Sequence, residues 1–378
     1  MCRPDTKGLI SLASPLLFAD LVGGLATPEV PTEAEEIWRY SRISSVKFAD
    51  FAKVVSLAPE TTMPWRSTAP GFDTRLIPAD RDVFSGLVDA AAQPQQFVIA
   101  PGQAIADPIN FSTDISASLD GFAVVSRVVI TAGENSQATI IHRVRSADVH
   151  SLYIPEVELH LGNGSNIRYL VVQELGPRMI QIGTQSARIG RDATLSSMTV
   201  SLGGSYARTR FDAAMVDRGG HNELLAVYFA EQDQMHDFRT VQHHIAPRTT
   251  SDLVFKGAVA GRARSVYSGL IKIGENARGT SANQTNRNLL LSPEASAESV
   301  PNLEIENNDV KCSHASAIGP IDEDERYYLE SRGVPSDVAD RLIVLGFFNE
   351  LLVRIPDEEL RARLITTISE AFDRRRAS

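Results

Sequence analysis

Cysteine is almost missing from this chain: Cys2 and Cys312 are the only two in 378 residues. Two thiols so far apart imply no disulfide framework, and this usage fits a reducing cytoplasm. Cys2, at the start of the chain, is assigned no role. Basic charge is also in deficit. Thirty-seven Lys and Arg stand against 47 Asp and Glu, for a formal net charge of −10. That excludes a general nucleic-acid binder, which needs a basic surface to neutralise phosphates. The local run Arg374-Arg375-Arg376 reads as a frayed helix end whose charges suit the helix dipole. Long apolar runs are missing too. The segment Leu9 to Phe18, preceded by Arg3 and Lys7, has the look of a short signal-peptide core. Pro15 interrupts it, Asp20 follows, and it is far too short to span a membrane; it reads as part of a packed N-terminal segment. There is no Walker A sequence and no GxGxxG opening a helix, so no nucleotide site of the chain's own is expected. The GxSxG elbow of many serine hydrolases is absent as well.

Three textures are present. The first ~95 residues are cut by Pro28, Pro31, Pro59, Pro64, Pro70 and Pro78. Thr32-x-x-Glu35 is a capping-box pattern expected to start a short helix carrying Trp38 and Tyr40. Phe48, Phe51, Ala52 and Val55 follow at helical spacing, and Asp80 to Ala92 can form another helix. From Gln96 to Ile318, short β-rich runs recur: 96–99, 122–130, 139–145, 157–161, 167–173, 179–182, 197–202, 207–216, 223–229, 234–245, 265–273 and 289–291. Gly162-Asn163-Gly164, Gly203-Gly204 and Gly219-Gly220 read as the turns between them. Tyr206 to Ala213 alternates with the period of a half-exposed strand. Many short strands at near-regular spacing mean a sandwich, a barrel or a solenoid, and with no strict repeat visible composition does not choose among them.

The chain ends in helices. Asp322-x-x-Glu325 can cap one that stops at Gly333. Pro335-Ser336 starts the next, with Val338, Leu342, Leu345 and Leu352 as a stripe that Ile343, Val344, Phe347, Phe348 and Leu351 broaden. A helix apolar on most sides is buried or docked. Pro356 breaks it, and Asp357 begins a last amphipathic helix with Leu360, Leu364, Ile365, Ile368 and Phe372 inward.

The chemistry-bearing stretch is Asn308-Asp309-Val310-Lys311-Cys312-Ser313-His314. On an extended strand, residues i and i+2 face the same way, which sets Cys312 and His314 roughly 6.6 Å apart along the strand. A thiolate and an imidazole can share one metal centre, but a closed site usually takes four ligands. A partner must supply the rest, or the binding is transient. Taken alone, the pair reads rather as a small buried thiol and a hydrogen-bonded histidine at the end of a strand, and only the surrounding motif turns it toward a metal. His236, His243 and His244 flank a β-like run with no cysteine beside them and read as structural hydrogen-bonding groups. Asp192, Asp212, Asp217 and Glu223 are the candidate carboxylates of a hydrolase, at no revealing spacing.

Several motifs in order carry a resemblance. They are Thr249 to Gly257, Arg262 to Gly269, Gln284-Thr285-Asn286-Arg287-Asn288 to Ser292, Asp309 to His314, Gly319, and Tyr327-Tyr328-Leu329-Glu330-Ser331-Arg332-Gly333-Val334. A weaker echo is Glu36 to Tyr40. Together they resemble the core of the SufB/SufD family of iron–sulfur cluster assembly scaffolds, on its SufD branch. The likeness is close over the last third and weaker upstream. It implies a mainly β fold: a central right-handed parallel β-helix over 96–320, an N-terminal helical or mixed segment over 1–95, and a C-terminal helical subdomain over 321–378. It implies a non-catalytic scaffold that pairs with a SufB-like paralogue and a SufC-like ATPase, and leaves open a homodimer when alone. His314 and Cys312 would share transient iron or a nascent Fe–S cluster with the paralogue, His314 being the demanding residue. Tyr327, Tyr328, Leu329, Arg332, Gly333, Leu342, Phe347 and Phe348 would dock the ATPase. The SufB branch carries a cysteine at about the position of Ala295, and Glu-His-Glu in place of Cys312-Ser313-His314; both departures favour the SufD branch. The alternative is a β-helix enzyme acting on carbohydrate.

Overall fold

The computed structural model describes residues 9–10, 16–62 and 75–374. Cys2, Arg3, Lys7, Pro15, Pro64, Pro70, Arg375 and Arg376 lie outside them. The chain winds into a β-solenoid in which successive strands alternate between two sheets. The first sheet stacks Lys53–Leu57, Phe122–Ala132, Leu152–Leu161, Ile180–Ile189, Tyr206–Met215, Met235–His244, Arg264–Ile273 and Ser296–Ile305. The second stacks Ile109–Ile115, Gln137–Ser146, Asn166–Leu175, Thr194–Gly203, His221–Ala230, Thr250–Val259, Thr280–Leu290 and Val310–Gly319. Neighbours within each of these stacks pair in parallel. The architecture is therefore the solenoid that the resemblance implied, chosen from the three that composition left open.

Each coil brings a residue above its counterpart roughly 4.8 Å below, so side chains form columns. Inward columns are apolar in the early coils, where Ile140, Ile167, Tyr169, Leu159 and Ile189 fill the interior. Later they turn polar. His244 is held by Thr249 Oγ1 at 2.8 Å and Ser251 Oγ at 2.9 Å. The early coils hold a polar exception, His142, which lies 2.9 Å from both Thr113 Oγ1 and Tyr169 OH. Burial pushes the imidazoles of His142, His236 and His244 down to about 4, so they are neutral hydrogen-bonding groups.

The two outer faces are covered by different ends of the chain. Residues 18–51 and 75–92 lie on the first sheet, with Phe18, Trp38, Ile43, Phe84 and Leu87 packed on Val125, Ile154, Ile182 and Val266. A buried ion set fixes this segment. Asp237 pairs with Arg208 and, at 2.7 Å, with Arg239. Arg208 lies 3.8 Å from the Trp38 ring and donates to Ile37 O, while Arg239 donates to Arg39 O. Only part of the expected helical content forms here. Helices α1 (Phe18–Gly23) and α2 (Val83–Ala91) are present, and Asp82 caps α2 by accepting from Ser85 N. The capping box closes in one direction only, Thr32 N donating to Glu35 Oε1 at 2.9 Å. The chain then makes a single 3-10 turn, Glu36–Trp38, because Tyr40 and Arg42 take positive φ and end it. The helix expected through Phe48 and Val55 is instead a 3-10 turn followed by the strand Lys53–Leu57. In the Leu9–Phe18 run, Leu9–Ile10 and Leu16–Leu17 pair with that strand and Phe18 is buried.

Helices α3 (Glu323–Ser331), α4 (Ser336–Leu352) and α5 (Glu358–Arg374) follow the last strand. Asp322 caps α3 by accepting from Asp324 N and Glu325 N, and Gly333 turns the chain at φ 86°. Helices α4 and α5 fold back on the outer face of the second sheet. Val344, Phe348, Leu351, Leu360, Leu364, Ile368 and Phe372 pack on Met198, Val200, Val227, Phe229 and Ala258. Of the two outcomes open to a helix apolar on most sides, burial holds for most of the α4 stripe.

Candidate functional site

The solenoid ends in an open coil. Ser296–Ile305 and Val310–Gly319 are the terminal strands of the two sheets, each paired on one side only. Nearly every residue of both is exposed or half-exposed, including the apolar Leu303, Ile305 and Ile318. Edge strands normally carry charge or proline that discourages pairing. Ser296–Ile305 has Glu298, Pro301 and Glu304, whereas Lys311 is the only charge in Val310–Gly319, whose centre is Ser313 to Ala317.

Cys312 and His314 are on this last strand, and register places them on the inward face. Cys312 stands opposite Ala282 and His314 opposite Gln284, both buried. The solenoid brings the two residues together at the mouth of its interior, as the i, i+2 spacing required. Cys312 is half-buried beside Ile271, Ile273, Ala277 and Ala282, and burial pushes its thiol up. The thiol therefore stays protonated at neutral pH in the isolated chain. His314 is exposed. Among the described residues no group of three or more His, Cys, Asp or Glu side chains is gathered to hold a metal. One imidazole and one thiol fit iron chemically but fill half of a four-donor set.

The remaining candidates disperse. His236 is buried beside Tyr228 and Ser201, and His244 beside Thr249, while His243 points outward toward Lys272. Asp212 is paired with Arg210, and Glu223 with Arg354 and Ser196. Asp217 bonds Arg218 N, and Asp192 sits in a turn at φ 54°. No carboxylate pair faces a groove from these positions, so the hydrolase reading gains nothing. Of the docking candidates, Tyr327 is 72% and Tyr328 58% exposed and Leu342 is exposed; Phe347 stacks under Lys256, and Phe348 is fully buried. In the sequence, Gln284 stands out only as part of a motif. Its inward, buried place beneath His314 is legible only from the register.

Residues 115–347 match the family described as SUF system FeS cluster assembly, SufBD core domain. The chain belongs to the SufBD family. Among similar proteins, an iron–sulfur cluster assembly SufBD family protein of Mycobacterium leprae is 30% identical over 390 residues, covering 97% of this chain and 96% of its own length. A SufBD family protein of Mycobacterium tuberculosis is 29% identical over 366 residues, covering 91% and 90%. The iron–sulfur cluster assembly protein SufD of Escherichia coli is 26% identical over 294 residues, covering 75% and 69%. The matched core begins at the strand Ile109–Ile115 and ends within α4, so it contains the open coil and both candidate donors of this SufBD chain. No helix among the described residues is long and apolar enough to cross a membrane.

Proposed function

We propose that this SufBD chain is a SufD-type, non-catalytic scaffold subunit. It pairs through its open coil with a SufB-like paralogue and helps hold iron or the nascent cluster, as substrate, at the seam. The observation that carries this is the coincidence of two features at one end of the solenoid: two unpaired, exposed sheet edges, and an inward imidazole and thiol that make half a ligand set. A second solenoid end supplies what both lack, strand partners for the edges and donors for the metal. His314 is the principal donor, with Cys312 secondary. The absence of a thiol at Ala295 and the Cys-Ser-His sequence favour the SufD branch over its paralogue.

The SufC-like ATPase docks on the exposed side of the C-terminal helices, through Tyr327, Tyr328, Leu342 and the turn at Arg332 and Gly333, with Leu329 and Phe347 at the margin. Phe348 serves this surface only from behind, by fixing α4 on the solenoid. ATP-driven movement of the docked subunits would strain the seam and expose Cys312 and His314. The setting is cytoplasmic. Co-expression with the cognate SufB- and SufC-like chains, followed by purification through a tag on this chain, tests the assignment. Recovery of both partners supports it; a chain that emerges alone and hydrolyses a polysaccharide overturns it.

A further inference from the structure

Gln284 is 1% exposed, yet neither its Nε2 nor its Oε1 has a hydrogen-bond partner. Its neighbours on the same face of the strand are satisfied: Asn288 donates to Asn286 Oδ1 at 2.9 Å and accepts from Tyr228 OH at 2.6 Å. The exception therefore falls on the one residue in register with His314. Below Gln284 the column is apolar, with Leu253 and then Leu224. Across the interior its amide lies against Gly269, where an added Cβ would stand 2.7 Å from Nε2 and 2.8 Å from Oε1. Glycine makes the room that lets a long polar side chain lie there. Opposite, on the first sheet, Ser299 stands in register above Tyr267, and its Oγ is also buried without a partner. A buried carboxamide left unpaired destabilises a fold. The Tyr267 hydroxyl would stand closer still to the same added Cβ, but it pairs with Thr240 Oγ1 at 3.2 Å, and the next polar group on the column of Gln284 itself is His314 at the open end.

We infer that Gln284 is the positioning residue for His314. This rests on the scaffold reading above. In the isolated chain His314 is exposed and no hydrogen bond joins the two. When a partner solenoid covers the end, the imidazole is confined to the inward column, roughly 4.8 Å above Gln284 in backbone spacing. Gln284 Oε1 then accepts the N–H of one ring nitrogen. That fixes the tautomer and leaves the other nitrogen's lone pair free for iron. Metal-binding histidines generally need such an acceptor behind them, and losing it costs about 10–100-fold in affinity.

The test uses the purified three-protein complex carrying Gln284→Leu, Gln284→Glu or His314→Ala. Iron retention against a competing chelator is measured, together with the His314 tautomer from 15N solid-state NMR, assigned by subtraction of the His314→Ala spectrum. Gln284→Leu should leave the complex assembled and the isolated chain's Tm unchanged or raised, because an unpaired amide has been removed. It should convert His314 from one tautomer to a mixture and weaken iron retention about tenfold. Gln284→Glu, which keeps an acceptor oxygen, should restore the single tautomer. If Gln284→Leu leaves both tautomer and iron retention as in the wild type, the amide is satisfied by water and the inference is wrong. If His314→Ala itself retains iron normally, the scaffold reading's donor assignment fails instead, and the tautomer measurement still decides whether Gln284 and His314 are bonded.

Discussion

Replacing Phe348 by alanine separates two roles for α4. Phe348 is fully buried, and its cluster joins α4 and α5 to Val227, Phe229 and Ala258 on the solenoid. Removing a buried phenylalanine side chain costs about 3–5 kcal/mol, the spread reflecting how far the site collapses. The loss should be local. Solenoid coils interact mainly with their neighbours, so it should appear as easier opening of α4 and α5 rather than of the whole chain. Amide hydrogen exchange on these helices, beside a urea titration of the isolated chain, reads it directly. Protection across α4 and α5 should fall while that of the strands from Leu152 to Val259 holds. ATPase binding weakens only as far as the helices detach. A loss below about 1 kcal/mol, with ATPase binding abolished, would mean that Phe348 is a contact residue after all and that the packing argument fails.

Asp237→Asn strands Arg208 and Arg239, both buried, without their shared counter-charge; breaking such a set costs about 3–5 kcal/mol, and protease sensitivity should appear first in residues 18–92. Ile318→Asp changes a side chain that is 41% exposed in the isolated chain, so its Tm should barely move, within about 0.5 kcal/mol of stability. Buried at a seam, the same carboxylate is strongly unfavourable, and co-purification with the SufB-like partner should be lost. Stability should also fall as pH drops from about 6.5 toward 4. There His142, His236 and His244 stay neutral in the fold while the unfolded chain takes up their protons. Glu156, raised to about 7 by burial, acts in the opposite sense, since the fold holds its proton in that window. Three groups outweigh one, and His142→Gln should reduce the slope by about 1.4 kcal/mol per pH unit.

The strands located as alternating or β-rich runs, such as Tyr206–Met215 and His221–Ala230, have largely apolar inward columns. The last coils escaped that signal for a physical reason. The inward face of Thr280–Leu290 is Gln284, Asn286 and Asn288, so hydrophobic periodicity sees only its end at Leu289 to Leu291. Ser296–Ile305 carries Pro301 and two glutamates. The choice of a solenoid was illegible from periodicity because the coil length drifts, from 26 residues between Ile180 and Tyr206 to 32 between Arg264 and Ser296. A helix end was legible at Asp322, whose side-chain cap stands in sequence, whereas α2, expected from Asp80, starts only after its cap at Asp82. Helix ends were not legible where left-handed residues such as Tyr40 and Arg42 cut a pattern short. The i, i+2 geometry of Cys312 and His314 was readable. That they close the open end above an unpaired Gln284 was not, because register between strands is a property of the fold.

The most direct measurement is the visible absorption of the reconstituted complex with wild-type chain and with His314→Ala, purified through a tag on this chain with both partners present. The account predicts that His314→Ala keeps both partners and loses the iron–sulfur absorption. A His314→Ala complex with the wild-type spectrum would contradict it.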